Sequence, residues 1–428
     1  MAKTYESYKD SGIAWIGEIP SEWKVGLVGR YFNEIKNPNI NQEEKNTLQF
    51  KMGDIISKKR GDSKYNPETI EAYNVVEPGT IMINGLNLSF DFISQRVGQV
   101  HEKGAITSTY LALYPSNGMM SDYAKYLLKA YDNCKALHAM GRGLRATLSY
   151  GIFRSEPILI PSIDEQHSIA SFLDTKCGEI DSLISLQEEM ISELQAYKQS
   201  VITEAVTKGL DPNAKMKDSG VEWIGEIPEN WKVSKVGLQY NVILGKMLCP
   251  KQLNDDYTLE KYYCAANVHF NGIEGELKKM WFSSLDKETY LTKKGDLLVV
   301  EGGAGAGGCA IVNDDESPVY IQNSIMIVRP KLINDVRYLR YQIEQFVKRG
   351  YIDVVCNKAT IPHFTKDKVS NMQIPLPSFE VQQQIANYLD AKTSQIDSLI
   401  SLKQQKIDEL KSYKKSIIYE YVTGKKRV

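Results

Sequence analysis

The sequence predicts an α+β protein in which two pseudo-twofold-related, mixed α/β heads are joined by two long antiparallel helices that pair like a coiled coil. Three observations support this fold class. An opening segment occurs twice, a long helix with one apolar pattern occurs twice, and the stretch between them alternates β-forming runs with turn residues. Because an internal repeat reports on the architecture of a whole chain, the duplication takes precedence over any single motif.

The repeated opening segments begin each half. Residues 9–25 read KDSGIAWIGEIPSEWKV and residues 217–233 read KDSGVEWIGEIPENWKV. The tryptophans and prolines recur in nearly identical surroundings, whereas the sequences that follow differ. Shared residues indicate a common scaffold, so we expect the repeated pairs to pack in the core rather than to form a ligand platform. These pairs are Trp15 and Trp223, Pro20 and Pro228, and Trp23 and Trp231.

The variable stretches predict strands at 79–84, 109–114, 296–300 and 324–328, and helices at 122–139 and 335–349. The glycine-rich segment 301–309 follows a strand, as a dinucleotide-binding turn would. Another short strand and turn follow it instead of a long helix. The pattern therefore favours a strand–loop–strand turn over a nucleotide site.

The two long helices follow a proline in each half, at Pro161 and Pro377. Apolar residues then recur at spacings of three, four and seven, which predicts one apolar seam on each helix. The predicted seam residues, related by an offset of 216, are Ile180, Leu183, Ile184, Ile191, Leu194, Tyr197 and Val201, with Ile396, Leu399, Ile400, Ile407, Leu410, Tyr413 and Ile417. The predicted division is a first head at 1–161, a central helix at 162–209, a linker and second head at 210–377, and a C-terminal helix at 378–428.

Composition favours a globular protein with more than one domain. The 428 residues exceed one ordinary core, and 42% are hydrophobic while 25% are charged. The sequence has no run of about 18 apolar residues and no apolar leader, so we expect a cytoplasmic protein without a membrane span. Its six cysteines show no regular spacing, which favours free thiols.

Signatures of catalysis are missing from the sequence. The five histidines are scattered, and neither a metal-ligand spacing nor a phosphate-binding loop occurs. We therefore expect no catalytic residue, no metal and no cofactor on this chain.

Basic and amide side chains do cluster in the heads, although the net charge is only −1. Arginine and lysine pair with phosphates or guanine, and asparagine and glutamine pair with adenine. A solvated charged surface explains any one of these residues better, but the set on two repeated heads favours DNA. The candidates are Lys58, Lys59, Arg60, Asn84, Asn87, Arg142 and Arg145 in the first head, and Lys246, Lys278, Lys279, Gln322, Asn323, Lys358 and His363 in the second.

The duplicated order of motifs resembles the DNA specificity subunit of type I restriction–modification systems, the HsdS family. The resemblance covers nearly the whole chain. It rests on the two openings, on the 294–298 KGDLL run before the glycine-rich turn, on the Pro-Ser boundaries at Pro161 and Pro377, and on the helix ends at 197–201 and 413–417. The second half departs from the first at the helix start, where Val381 stands in place of Glu165.

The resemblance implies that each head is a target-recognition domain that reads one half of a split double-stranded DNA sequence. It implies that the helices fix the spacing of the heads and dock two HsdM-like methyltransferase subunits, which two HsdR-like restriction subunits can join. S-adenosylmethionine, ATP and Mg²⁺ would belong to those partners, and this chain would be non-catalytic. A recognition subunit of a type IIB-like or methylation-only system, a complete methyltransferase, and a coiled-coil scaffold without a DNA role remain as alternatives. The missing catalytic motifs count against the methyltransferase.

Overall fold

A computed structural model describes residues 4–51, 53–58, 70–143, 146–313, 318–356 and 362–428. They form two compact units: the first contains residues 1–188 and 404–428, and the second contains residues 189–403. Each unit therefore combines one head with part of each long helix. Among the described residues, no helix is long and apolar enough to cross a membrane.

The head of the first unit alternates strands and short helices. Its strands are β1 (Tyr8–Asp10), β2 (Glu18–Pro20), β3 (Lys24–Leu27), β4 (Phe32–Glu34), β5 (Leu48–Lys51), β6 (Asp54–Ser57), β7 (Asn74–Val76), β8 (Ile81–Ile83), β9 (Val97–Gln99), β10 (Gly104–Ile106), β11 (Leu111–Pro115) and β12 (Pro157–Ile160). Its helices are α1 (Val28–Tyr31), α2 (Ser121–Asn133), α3 (Ala136–Met140) and α4 (Tyr150–Phe153), and the long helix α5 (Ile163–Lys208) follows.

The head of the second unit follows a similar order. Its strands are β13 (Met216–Asp218), β14 (Glu226–Pro228), β15 (Lys232–Lys235), β16 (Tyr240–Leu244), β17 (Thr258–Tyr263), β18 (Val268–His269), β19 (Gly272–Ile273), β20 (Lys278–Phe282), β21 (Leu297–Val300), β22 (Cys309–Ile311), β23 (Tyr320–Ile321), β24 (Ile325–Pro330) and β25 (Gln373–Leu376). Its helices are α6 (Val236–Gln239), α7 (Ser284–Tyr290), α8 (Val336–Lys348), α9 (Tyr351–Val355) and α10 (Lys366–Asn371), and α11 (Phe379–Val422) follows.

A four-stranded antiparallel sheet forms the centre of each head. The strand order is β4-β11-β8-β9 in the first and β16-β24-β21-β22 in the second. Strands β8 and β21 are buried along their whole length, because helices and loops cover both faces. The predicted strands are confirmed, and so is the strand–loop–strand turn, since β21 and β22 pair on either side of the glycine-rich loop. The predicted helix 122–139 is instead two helices, because Lys135 adopts a left-handed φ of 60° between α2 and α3.

The opening segment and the end of each head are tied together by one two-stranded sheet. Strand β3 pairs with β12, and β15 pairs with β25 in the same antiparallel register. The tryptophans Trp23 and Trp231 are buried beside these sheets, which confirms their packing role. In the first unit, Glu165 at the start of α5 accepts hydrogen bonds from the Trp23 Nε1 at 2.8 Å and from the Tyr5 hydroxyl.

A repeated glutamine joins each head to its long helix. Gln166 accepts a hydrogen bond from the Met120 backbone N–H at 2.9 Å and donates to the Pro161 carbonyl at 3.1 Å. Gln382 accepts from the Asp335 backbone N–H at 3.0 Å and donates to the Pro377 carbonyl at 3.0 Å. Both side chains are buried, so each amide fixes the angle between a head helix and a long helix.

The long helices run antiparallel in both units. In the first unit, Asp181 of α5 forms an ion pair with Lys414 of α11 at 2.6 Å. In the second unit, Lys198 of α5 forms an ion pair with Asp397 of α11 at 2.7 Å. Adding 216 to Asp181 gives Asp397, and adding 216 to Lys198 gives Lys414. The two units therefore use the same contact with the roles of the helices exchanged.

The predicted seam is correct in part. Ile180, Val201, Ile396, Ile407 and Ile417 are buried, and Ile184, Ile191, Leu194, Ile400 and Leu410 are partly buried. Leu183, Tyr197, Leu399 and Tyr413 are exposed instead, which corrects the prediction for these four. A two-helix pair buries one narrow stripe, and at 100° per residue these four positions lie on the flank of that stripe.

Candidate nucleic-acid interface

One end of each central sheet gathers the loops that carry polar and basic side chains. At this end of the first head, β4 and β8 finish while β9 and β11 begin. At the same end of the second head, β16 and β21 finish while β22 and β24 begin. The antiparallel register therefore places the loops after β8 and β21 at equivalent positions of the two heads.

In each head, the loop after the central strand is hydrogen-bonded to a second, distant segment. The Leu148 N–H donates to the Gly85 carbonyl at 2.9 Å, and the Leu88 N–H donates to the Ala146 carbonyl at 3.1 Å. In the second head, the Phe364 N–H donates to the Glu301 carbonyl at 2.6 Å, and the Gly303 N–H donates to the Pro362 carbonyl at 3.2 Å. Both heads thus present a paired-loop surface at the same end of the sheet.

The paired-loop surface of the first head brings together three candidates from the sequence. Asn84 and Asn87 lie in the first loop, and Arg142 lies in the second. Asn87 and Arg142 are exposed, whereas the Asn84 Oδ1 accepts a hydrogen bond from the Leu86 N–H at 3.2 Å. Arg145 lies outside the described residues. A guanidinium and two amides on paired loops are a donor and acceptor set that can contact base edges and phosphates.

Sequence reasoning did not include the apolar tip of this loop. Phe90, Phe92 and Ile93 are exposed, and the Phe92 ring stacks on His138 with a centroid distance of 5.0 Å. The run LSFDFI at 88–93 gave a signal, since it places apolar residues between turn-forming asparagines and Ser94. The same run also fits a short strand, so the sequence did not reveal its exposure.

Buried Arg96 holds the loop in shape. Its guanidinium donates to the carbonyls of Leu86 at 2.7 Å and Asp91 at 2.8 Å, and its own N–H donates to the Asp132 carboxylate at 2.7 Å. The tip turns at Asp91, whose carboxylate accepts the N–H groups of Ser94 and Ile93 at 3.0 Å each. The backbone and side chain of Ser94, with the Ile93 N–H, lower the pKa of Asp91 to about 2.

In the second head, Gln322, Asn323 and His363 come together around the start of the glycine-rich loop. Gln322 donates to the Asn323 side chain and accepts from the Ser324 N–H at 3.2 Å. The Ser324 carbonyl accepts the Glu301 N–H at 2.8 Å, and Gly302 forms a bridge with His363. Residues from three separate stretches thus form one polar surface. Lys358 lies outside the described residues.

The structure gives Lys246 a structural role that the sequence did not predict. Its ammonium is largely buried and forms an ion pair with Asp286 at 2.6 Å. Burial opposes the ionisation of Asp286, but hydrogen bonds from Lys246 and Ser283 outweigh it and lower the pKa of this carboxyl. The charge of Lys246 is therefore neutralised within the head. Its backbone still lies next to the polar surface, because its carbonyl accepts a hydrogen bond from the Asn323 N–H at 2.8 Å.

Two of the remaining lysines lie on a strand beside the central sheet, and one follows a strand. Lys278 and Lys279 are exposed on β20, where alternation places Lys278 on the face of buried Met280 and Lys279 on the opposite face. The turn of the β5–β6 hairpin, at Gly53, lies next to Gln95. Lys58 follows β6 at the opposite end of this hairpin. The structure therefore does not bring it to the paired-loop surface. Lys59 and Arg60 lie outside the described residues.

Comparison with known proteins finds similar sequences. A sequence model of the type I restriction modification DNA specificity domain matches residues 228–412. The type I restriction enzyme MjaVIII specificity subunit of Methanocaldococcus jannaschii is 25% identical over 431 aligned residues, covering 96% of this chain and 94% of the relative. Residues 228–412 therefore match a DNA specificity domain, and nearly the whole chain is similar to a type I restriction enzyme specificity subunit.

Solved structures agree with the fold of this chain. A chain from work on the complex assembly and conformational transition of the type I R-M system has a TM-score of 0.70 at 15% identity, covering 95% of this chain and 99% of that one. The HsdS subunit from Thermoanaerobacter tengcongensis has a TM-score of 0.50 at 15% identity, covering 95% of this chain and 98% of that one.

The names of these matches bear on the general role. The matched model is named for DNA specificity, and the relative is named as a specificity subunit of a type I restriction enzyme. Within the described ranges, no group of three His, Cys, Asp or Glu side chains is placed to hold a metal ion.

Proposed function

We propose that this chain is a specificity subunit that reads a two-part DNA sequence, one part with each head, and docks two methyltransferase subunits on its long helices. One observation carries the proposal. The two heads keep the same central sheet and the same paired-loop hydrogen bonds, yet unrelated side chains occupy those loops. A shared frame with different contact residues suits two half-sites of different sequence.

The DNA contacts in this proposal come from the paired-loop surfaces. In the first head, Asn84, Asn87 and Arg142 contact the half-site; in the second, Gln322, Asn323 and His363 do so. Lys278 and Lys279 supply phosphate contacts beside the second surface. Such a division follows the general rule that phosphate contacts orient a protein on DNA and base contacts give sequence preference.

Docking of two partners is supported by apolar residues that the helix pair leaves exposed. In the first unit they form patch A, defined as Leu183, Leu186 and Tyr413. Adding or subtracting 216 gives patch B of the second unit, defined as Leu399, Leu402 and Tyr197. Two equivalent patches suit two copies of one partner, since exposed apolar clusters on helices mark interaction sites.

Methylation mapping with an exchanged head tests the proposal. The chain is expressed with its methyltransferase subunit in a host without such methylation, and methylated bases are mapped across the genome. We expect one two-part motif. Replacement of residues 26–160 by those of a relative should change one half of the motif and leave the other half unchanged.

Two results would contradict this function. Absence of any sequence-specific methylation that depends on the chain would remove the DNA-reading role. A change in both halves after the exchange of one head would show that the heads do not read DNA independently. Exchange of residues 234–376 is the matched control, because it should alter only the other half.

A further inference from the structure

The first head carries an apolar loop tip that its own core does not explain. Phe90 is 76% exposed and Ile93 is 91% exposed, although both lie in a loop held by an internal hydrogen-bond network. A folded protein gains nothing from the ordered presentation of such side chains to water. The combination of exposure and a fixed loop is suited to a partner that covers these side chains.

The tip is held in place before any partner binds. Its turn is fixed at Asp91, whose carboxylate accepts two backbone N–H groups and whose carbonyl accepts from buried Arg96 at 2.8 Å and from the His138 Nε2 at 3.0 Å. Phe92 stacks on His138 and so braces the loop from one side. Phe90 and Ile93 are left as the projecting pair, on a support that loses little conformational freedom on contact.

Double-stranded DNA is the partner that fits this tip. The same loop carries Asn84 and Asn87, and the loop hydrogen-bonded to it carries exposed Arg142. A protein interface needs roughly 800 Å² on each partner, which two side chains on a narrow loop do not provide. Two apolar side chains flanked by amides and a guanidinium match instead the size of one base step with its groove edges and phosphates.

We propose that Phe90 and Ile93 form an apolar wedge that inserts between adjacent base pairs of the half-site read by the first head. The proposal rests on the proposed function, because it names what one head does to its half-site. Apolar wedges of this kind unstack a base step and bend the duplex. The head then recognises how easily one step deforms, in addition to the base edges that it contacts.

The second head lacks such a wedge at the equivalent position and provides an internal comparison. Its loop tip is Ala304 and Gly305, both exposed. A Cβ atom on Gly305 would meet nothing within 4 Å. The fold therefore leaves room for a larger side chain at this tip, although none is present. The loop after β21 is therefore expected to leave the stacking of the second half-site intact.

Site-specific fluorescence tests the wedge. The complex of the chain with its methyltransferase subunits is titrated with duplexes that carry the mapped motif and 2-aminopurine at successive positions. The wild-type complex should raise the fluorescence at one step of the first half-site and at no equivalent step of the second. The variant with both Phe90→Ala and Ile93→Ala should lose this rise and bind roughly tenfold more weakly, a change of about 1.4 kcal/mol.

A rescue experiment separates a wedge from an ordinary apolar contact. An abasic site at the responsive step should restore binding by the double variant to within about threefold of the wild-type complex, because that step is already unstacked. The matched control is Tyr114→Ala, which removes an exposed aromatic ring of β11 in the same head and should leave both binding and fluorescence unchanged.

The outcomes distinguish the wedge from the proposed function. If the motif is methylated and the double variant binds and unstacks DNA like the wild type, the wedge is refuted and the function stands. If the double variant binds DNA normally but no longer retains the methyltransferase subunits, the tip is a protein contact and the wedge is again refuted. If no two-part motif is methylated at all, the proposed function fails, and the wedge fails with it.

Discussion

Removal of patch A should leave a specificity subunit that holds one methyltransferase copy instead of two. The perturbation is the triple substitution Leu183→Ser, Leu186→Ser and Tyr413→Ser. These side chains are 47%, 45% and 57% exposed, so each retains about half of its surface for a partner. Because they make few contacts inside the chain, the fold should persist with a nearly unchanged melting temperature.

The size of the effect follows from the exposed area. Complete burial of a large apolar side chain contributes about 2 kcal/mol, so covering the exposed half contributes about 1 kcal/mol. Three such side chains give about 3 kcal/mol, which corresponds to a roughly hundredfold weaker dissociation constant at this patch. Patch B should keep its affinity, because the substitutions lie outside the second unit.

Native mass spectrometry with light scattering measures the stoichiometry. The wild-type chain should bind two methyltransferase subunits, the patch A variant one, and a variant in which patch B is also replaced none. Leu238→Ser is the matched control, since it replaces an exposed leucine of α6 away from both patches. Retention of two copies at wild-type affinity by the variant without either patch would refute docking through these residues.

Three further predictions concern the heads. The double substitution Lys278→Glu and Lys279→Glu should weaken the salt dependence of specific duplex binding. The magnitude of the slope of log association constant against log salt concentration should fall by about two, and an unchanged slope would exclude phosphate contacts at these lysines. Gly305→Leu should abolish methylation directed by the second half-site, because the new side chain fills open space that the DNA would occupy. The melting temperature of the protein should stay constant. Normal methylation by this variant would show that the DNA does not contact this loop. Glu165→Val should lower the free energy of unfolding in urea by roughly 2 kcal/mol, because it removes the shared acceptor of a buried tyrosine hydroxyl and tryptophan N–H. A loss below about 0.5 kcal/mol would contradict that role, and Val381→Ala at the equivalent site of the second unit is its control.

The repeat made much of the fold predictable. Two copies of one opening and one helix pattern, at nearly constant offsets, predict two similar heads and a pair of long helices without any knowledge of their contacts. The structure gives α5 as Ile163–Lys208 and α11 as Phe379–Val422, within two residues of the predicted starts. Such predictions succeed because heptad spacing is a local property that a single helix carries by itself.

The burial of the seam residues shows what a local sequence pattern does not predict. Leu183 and Ile184 are adjacent and both apolar, yet Leu183 is exposed and Ile184 is partly buried. Periodicity identifies an apolar side of the helix but not how wide a stripe the partner covers. The width depends on the packing of α11 against α5, which only the tertiary structure determines.

The candidate interface was likewise predictable only in part from the sequence. Amides and basic residues in two variable heads were enough to predict DNA contact, because these side chains carry the hydrogen-bonding groups that bases and phosphates require. The sequence alone did not show that Asn84 and Arg142 share one surface, that Asp286 neutralises Lys246, or that Phe90 and Ile93 project from a loop fixed by Arg96. Sequence thus determined the repeated plan and the chemical character of the heads. Tertiary structure decided which side chains meet, since contacts between residues far apart in the chain depend on the pairing of strands and on the burial of charge, and neither is encoded in local spacing.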